Sequence, residues 1–517
     1  MSTAISHEDS NLRPRAVPLQ SDPKSESTLS PAAWKLPLDN SGRSTPVPED
    51  APPSARSIST ARKQVRARNR LFYTIDYVPR VSHFDPESDY HNFRGFFTLF
   101  WIGLAIMVGT TMLRNIKDTG YPLRVRVWSL LTANLYEMAL SDLAMVWLRW
   151  SRAGIVIQSV GEALWMFLWL NWPFMRHWTW TAQVFFTLHL LTILMKLHSY
   201  AFYNGHLSET QRRLAALDKP GEIKPECPIA VRYPETPRRR PSMKMQQDHE
   251  EGHPTEPLDK LREDLATELT SPLGNISYPQ NLHVGNYIDF LFCPTLCYEL
   301  EYPRNPERRW REIGYKALAV FGCIFLLTLT SEEFILPVLN EAHVQLDLYD
   351  SVADKALILA ESISMLLFPF LLTFLLVFLV IFEYVLGAFA EMTRFADRHF
   401  YSDWWNSCDW LEFSREWNVP VHHFLFRHVY FPSRSHFSQP VAMLITFLVS
   451  SLAHELVMSC ITKKLRGYGF GAMMLQLPIV AVQKSRFFRG RTILNNVFFW
   501  CSMILGLSMM CAFYVLI

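Results

Sequence analysis

Long apolar blocks alternate with polar stretches along the chain, and the blocks decide its class. Apolar runs fall near residues 95–113, 129–150, 154–171, 178–197, 315–338, 356–390, 438–462, 468–483 and 493–517. A helix needs roughly 20 apolar residues to cross a bilayer core, and most of these runs approach that length. The pattern predicts an all-α polytopic membrane protein with about nine transmembrane helices. The 356–390 run is too long for one upright span and is expected to tilt or to bend at Pro369. Glu137, Asp142 and Glu162 lie inside the second and third runs. Ionisable groups are costly against lipid, so these are expected to face protein.

The polar stretches divide the rest. Residues 1–70 are rich in Ser, Pro, Asp and Arg without periodicity and read as a disordered tail, closed by Arg62, Lys63, Arg66, Arg68 and Arg70. A basic cluster of this kind suits an anionic cytoplasmic membrane face, which places the N-terminus in the cytosol. Residues 71–204 then hold the first group of membrane helices, 205–275 a flexible polar insert with a short helix near 206–217, and 276–517 a second transmembrane core. The basic run Arg238–Arg240 before Ser242 fits either a kinase site or a solvated linker. The segment 287–304 is amphipathic and aromatic but too interrupted to span, so it is expected to lie at the cytosolic interface.

Composition narrows the chemistry further. In 517 residues there are 36 Phe, 16 Trp and 19 Met, and the net charge of +2 gives no footing for nucleic acid. The eight cysteines are dispersed; Cys293 and Cys297 form the one close pair, without zinc spacing, so the cysteines are expected to be reduced packing residues and no metal is expected.

The candidate chemistry lies between Phe400 and His454. His454 sits in an apolar run, where a neutral imidazole can accept a proton from an alcohol. The competing role is a hydrogen bond to another helix. Asn418 carries an amide that can donate to a developing oxyanion, or it can cap a helix beginning at Val419. Tyr401, Asp403 and Asn406 offer hydrogen bonds beside Phe400, Trp404 and Trp405, which fits either a ligand site or an interfacial aromatic anchor. Arg415, His422, Arg427 and His428 are charged or polar donors able to meet phosphate oxygens, or ordinary surface groups. Ser450 shares a helix face with His454, and a packing role is expected for it rather than a nucleophilic one, there being no Gly-x-Ser-x-Gly elbow. Glu455, about 100° round the helix from His454, is expected to orient a neighbour near the pocket.

Several stretches resemble the membrane-bound O-acyltransferase family. They are Phe400-Tyr401-Ser402-Asp403-Trp404-Trp405-Asn406, then Trp417-Asn418-Val419-Pro420-Val421-His422, and then the membrane His454. Pro294-Thr295-Leu296-Cys297-Tyr298-Glu299-Leu300 and Lys196-Leu197-His198-Ser199-Tyr200-Ala201-Phe202-Tyr203-Asn204 are similar to the branch that holds sterol and diacylglycerol O-acyltransferases. Residues 389–398 resemble the sterol members more, and 294–300 the diacylglycerol members at least as much. The resemblance implies acyl-CoA as co-substrate with no bound cofactor, and an active-site pair at Asn418 and His454. It implies acyl-CoA binding by the 400–406 motif, Trp417 and His422, with Gln476 and Asn496 lining the core. It further implies an endoplasmic reticulum membrane protein that forms a homodimer or homotetramer among membrane lipids. The fungal-type reaction so implied is transfer of a long fatty acyl group to the 3-hydroxyl of a sterol, storing it as steryl ester. Esterification of diacylglycerol to triacylglycerol is the alternative, and a lipid transporter without acyl transfer is a third reading.

Overall fold

The computed structural model describes residues 94–123, 154–217, 257–271, 274–488 and 490–517, together with positions 75, 77–85, 88, 127, 129, 130 and 137. The expected tail 1–70, most of the 129–150 run with Asp142, and the insert 218–256 with the Arg238–Ser242 run and Cys227 lie outside the described residues.

The architecture is all-α. In chain order the helices are α1 (Arg94–Thr119), α2 (Gly154–Met175), α3 (Trp180–Leu217), α4 (Pro257–Glu268) and α5 (Val284–Phe292). Two long continuous helices follow, α6 (Trp310–Leu348) and α7 (Val352–Thr393), each carrying a π-helical turn, at Ser331–Ile335 and Leu379–Val385. The short helices α8 (Trp410–Glu416) and α9 (Val419–Leu425) come next, α9 running on through a π turn, Phe426–Tyr430, into Phe431–His436. The chain closes with α10 (Gln439–Thr462), α11 (Tyr468–Gln483) and α12 (Thr492–Leu516).

Among the described residues six helices, α1, α3, α6, α7, α10 and α12, are long and apolar enough to cross a membrane. These six are fewer than the expected nine or so, and the three other expected runs differ from them in identifiable ways. The 154–171 run does form a helix, but Gln158, Glu162 and Asn171 dilute its hydropathy. The 468–483 run gives a helix of 16 residues, roughly 24 Å at 1.5 Å per residue against a core about 30 Å thick. The 129–150 run lies largely outside the described residues. At 42 residues α7 measures roughly 63 Å, so it extends past the bilayer core; Pro369 sits inside it without ending it. The helix expected near 206–217 is the continuation of α3 rather than a separate element.

Apolar surface of α1 (Phe96, Leu99, Ile102, Ile106) and of α6 (Leu318, Phe321) is exposed, as lipid-facing surface must be. Glu162 and Glu137, the described acidic groups of the second and third apolar runs, are paired. Glu162 accepts from Gln158 (2.9 Å) and faces His198 Nδ1 at 3.0 Å, and Glu137 accepts from Arg176 and Trp178. Both therefore face protein, as expected. The seven described cysteines are free, Cys293 and Cys297 buried side by side in the core.

That core is built where α3, α6 and α7 meet the loops 294–302 and 395–404, around Tyr203, Phe290, Tyr298, Phe382, Phe395, Tyr401 and Trp404. A segment ahead of α1 threads into it. Arg80 pairs its backbone with Ala396 and Arg398 (both 3.1 Å), the Ile75 amide donates to Glu299 Oε1 at 2.8 Å, and the Val78 amide to Asp397 Oδ2 at 3.0 Å. These contacts join positions more than 200 residues apart in sequence, so the segment acts as a strap under the motif loop.

Candidate active site

The two motif stretches are zipped together by their backbones. Ser402 N–H donates to the Glu416 carbonyl at 2.9 Å, and Val419 N–H to the Phe400 carbonyl at 3.0 Å. Fixing Val419 in this way fixes Asn418 beside it. Asn418 has an extended-side backbone (φ −141°) and its Oδ1 accepts from Val421 N–H at 3.1 Å, capping α9, with Pro420 preset in the first turn. The capping role weighed from the sequence is thus present. It uses the amide's oxygen and leaves the Nδ2 hydrogens as donors, so capping and oxyanion donation are compatible uses of one side chain.

The indole of Trp404 is nearly fully buried against Phe374, Phe378 and Trp417, at ring distances of 5.4, 5.0 and 4.9 Å. Trp417 stacks on Phe374 at 4.4 Å. Edge-to-face and stacked pairs contribute about 0.5–1.5 kcal/mol each beyond burial. Trp405 is anchored by its carbonyl, which accepts from Asn496 Nδ2 and Trp500 Nε1, both at 3.1 Å. Asn496 donates again to the Ser407 carbonyl at 3.0 Å, so it latches α12 onto the motif turn. Phe400 and Tyr401 are buried. The Tyr401 hydroxyl meets Glu383 Oε2 at 3.4 Å and Ser82 Oγ at 3.2 Å, while Lys316 Nζ donates to Glu383 Oε1 at 3.0 Å. Asp403 takes the Asn406 amide at 3.5 Å. His83 of the strap packs against Tyr401 and Trp405 at 5.1 and 5.9 Å. Burial lowers its pKa, opposed by the carboxylates of Asp403 and Glu383.

The basic candidates divide. Arg415 donates within its own helix to the Leu411 carbonyl at 3.2 Å. His422 stacks on Phe426 at 6.0 Å, and burial, then the Arg415 charge, brings its pKa down to about 4. His423 is brought to about 3 by burial and then by His422. His428 meets Ser199 Oγ at 3.1 Å. Arg427 is buried in the core: it faces Glu299 Oε1 at 3.4 Å, donates to the Tyr298 carbonyl at 3.0 Å and lies 4.7 Å over the Tyr203 ring. Its place is the centre of the fold, not a rim open to phosphates.

His454 stands on an exposed face of α10, and its Nδ1 lies 2.8 Å from the Ser450 carbonyl. A carbonyl only accepts, so Nδ1 carries a proton, and in the neutral ring Nε2 then presents the lone pair. That is the tautomer a general base needs. Ser450 thus acts through its backbone. Glu455, one residue on, is buried and accepts from Gly467 N–H (2.8 Å), Phe470 N–H (3.0 Å), the Tyr514 hydroxyl (2.6 Å) and Ser459 Oγ (3.3 Å). It closes the α10–α11 turn, where Gly467 takes φ +79°, and binds α12 to it. Gln476 donates to Met473 Sδ within α11 at 3.3 Å. Among the described residues no hydrogen bond joins Asn418 to His454; they are linked through α9 and its π turn, which packs on α10. No group of three His, Cys, Asp or Glu able to hold a metal occurs among the described residues.

Sequence reasoning missed the strap, Glu383 with Lys316, and the Glu299–Arg427 pair. A carboxylate inside the apolar run around Glu383 was a signal for the second of these.

The model of the membrane-bound O-acyltransferase family matches residues 96–516. The chain is 36% identical over 478 residues to "Probable sterol O-acyltransferase 2" of Schizosaccharomyces pombe, covering 88% of this chain and 94% of that protein. It is 33% identical to "Probable sterol O-acyltransferase 1" of the same organism, covering 88% of each. "Diacylglycerol O-acyltransferase 1" of Dictyostelium discoideum is 35% identical over 256 residues, 49% of this chain and 40% of that protein.

Proposed function

Because the chain belongs to the membrane-bound O-acyltransferase family, we propose that it transfers a long-chain fatty acyl group from acyl-CoA to the 3-hydroxyl of a sterol. It is an acyl-CoA-dependent O-acyltransferase of a polytopic membrane type, in the sterol O-acyltransferase-like branch. The sterol as acceptor rests on likeness to sterol O-acyltransferases along nearly the whole chain, whereas the similarity to a diacylglycerol O-acyltransferase reaches about half of it.

The single observation that carries the mechanism is the 2.8 Å contact of His454 Nδ1 with the Ser450 carbonyl, which leaves Nε2 for the reacting hydroxyl. Nε2 takes the proton of the sterol hydroxyl as its oxygen attacks the thioester carbon. The carbonyl oxygen becomes an oxyanion, and Asn418 Nδ2 donates to it. Collapse of the intermediate breaks the C–S bond, and the proton on Nε2 passes to the CoA thiolate. The products are steryl ester and free CoA, with no acyl-enzyme at Ser450. A thioester is already activated, so the protein contributes positioning, proton transfer and a dry site. The 400–406 motif, Trp417 and His422 hold the acyl-CoA in this reading, and the protein works as a homodimer or homotetramer in the endoplasmic reticulum membrane with its N-terminus in the cytosol.

The test is acyl transfer in microsomes from labelled oleoyl-CoA to ergosterol, cholesterol or diacylglycerol, with wild type and His454→Ala. Steryl ester from wild type alone, falling about 10²–10⁴-fold in the variant, is the expected outcome. Triacylglycerol instead identifies the diacylglycerol reaction. Equal product from both proteins removes His454 from the chemistry. Loss of transfer to every acceptor returns the transport reading.

A further inference from the structure

Apart from the acyl-transfer residues, a cleft of about 530 Å³ opens between α5, the loop before α6 and the end of α7. Ile288, Asp289, Phe292, Arg304, Arg308 and Arg394 line it. Three cations therefore meet one carboxylate, and Asp289 is already paired with Arg304. The arginines are held by backbone carbonyls at the end of α7 and in the facing loop. Arg304 donates to Thr393 (2.5 Å), Arg308 to Met392 (3.0 Å) and Arg394 to Pro306 (3.3 Å). Arg308 and Arg394 each commit a single N–H in this way, and a guanidinium fork has further donors for an anion.

The cleft's level and rim indicate the anion's source. α6 and α7 run as an antiparallel pair, so the start of one at Trp310 and the end of the other at Thr393 lie on one membrane face. Trp310 is 69% exposed there, as interfacial indoles are. Val284, Ile288 and Phe292 of the amphipathic α5 are exposed at 74%, 46% and 48%, and Met392 at 40%. Exposed cations (Arg308, Arg394) beside exposed apolar side chains, at the depth of the headgroups, complement an anionic lipid rather than a wholly soluble anion.

We propose that this cleft binds the headgroup of an anionic phospholipid, with Arg308 and Arg394 on its phosphate and its acyl chains against Ile288, Phe292 and Met392. The bound lipid lies next to Arg304 and Phe395, which pair at the start of the loop leading to Phe400. The site is thus joined to the motif by five residues of chain.

The full-length protein in nanodiscs with spin-labelled phosphatidic acid or spin-labelled phosphatidylcholine tests this, read as the immobilised fraction of label. Phosphatidic acid should be immobilised more than phosphatidylcholine. Arg308→Gln with Arg394→Gln should weaken that preference about thirtyfold, about fivefold for each interfacial cation lost. Arg308→Lys with Arg394→Lys, which keeps the charge, should restore most of it, separating a lost ligand from a damaged fold. Equal immobilisation of the two lipids, or a preference untouched by the Gln pair, overturns the proposal. So does full displacement of the lipid label by soluble CoA, which would give the cleft to the coenzyme's phosphates.

Discussion

Replacing Asn418 separates two uses of one side chain. Its Oδ1 caps α9 through Val421 N–H at 3.1 Å, while its Nδ2 is the donor assigned to the oxyanion. Asp caps a helix about as well as Asn but has no amide hydrogen. Asn418→Asp should therefore leave the melting midpoint within about 1 °C of wild type and reduce kcat by about 10²–10³, the loss of one oxyanion donor, roughly 3–4 kcal/mol. Asn418→Ala loses the donor and the cap together. It should show the same fall in kcat and an added instability of about 1 kcal/mol, modest because α9 is a seven-residue helix already tied to Phe400. The assay is steady-state acyl transfer at saturating acyl-CoA in detergent micelles, beside thermal unfolding of the same samples. An Asn418→Asp protein that keeps more than about a tenth of wild-type kcat would refute the donor role and leave Asn418 as a cap.

Four further outcomes follow from the contacts. Glu455→Ala removes the acceptor for two backbone amides and the Tyr514 hydroxyl and should cost about 2–4 kcal/mol, whereas Tyr514→Phe, losing one of these bonds, should cost about 1.5 kcal/mol by thermal unfolding. Native His422 and His423 refuse protons down to about 4 and 3, while the unfolded chain takes them near 6.5, so stability should fall as pH drops from about 6.5 toward 4; His422→Gln with His423→Gln should flatten that slope. Glu416, held up to about 7 by burial and by Glu412 and Asp403, acts in the opposite sense, losing stability as pH rises from about 4.5 through 7, so Glu416→Gln should gain stability above neutrality. Glu299→Gln removes the carboxylate facing the buried Arg427 and should cost about 3–5 kcal/mol, read by denaturation in detergent.

What the sequence made legible was local. Apolar runs located α1, α3, α6, α7, α10 and α12 because a span is a property of one contiguous stretch. The capping of α9 was foreseeable because Asn418, Val419 and Pro420 are neighbours. Long-range pairings were not legible. Arg427 has the composition of a phosphate-binding surface residue; its burial against Glu299, 128 positions away, follows only from packing. The strap, residues 75 and 77–85, lacks periodicity and is held by distant partners near 295–299, 383 and 397–405. Asn496 joins α12 to the 405–407 turn, a contact set by where the last helix docks.

The pairing of His454 with Glu455 gives this arrangement its logic. Adjacent residues on a helix point about 100° apart, so one can be exposed while the other is buried. His454 is on the exposed face and is held by one bond within its own helix, to Ser450. Alone, that bond fixes the ring but not the direction in which α10 turns it. Glu455 supplies the direction: its carboxylate is gripped by the first turn of α11 and by Tyr514 of α12, which locks the rotation of α10 about its axis. At Gly469 an added Cβ would come within 3.2 Å of Glu455 Oε2 and 3.4 Å of the Tyr514 hydroxyl, so a side chain here would push on the groups that hold α10 to α12. The same α12 holds Trp405 through Asn496 and Trp500. One terminal helix therefore sets both the angle of the proposed base and the position of the motif turn, and a shift in α12 would move the two together.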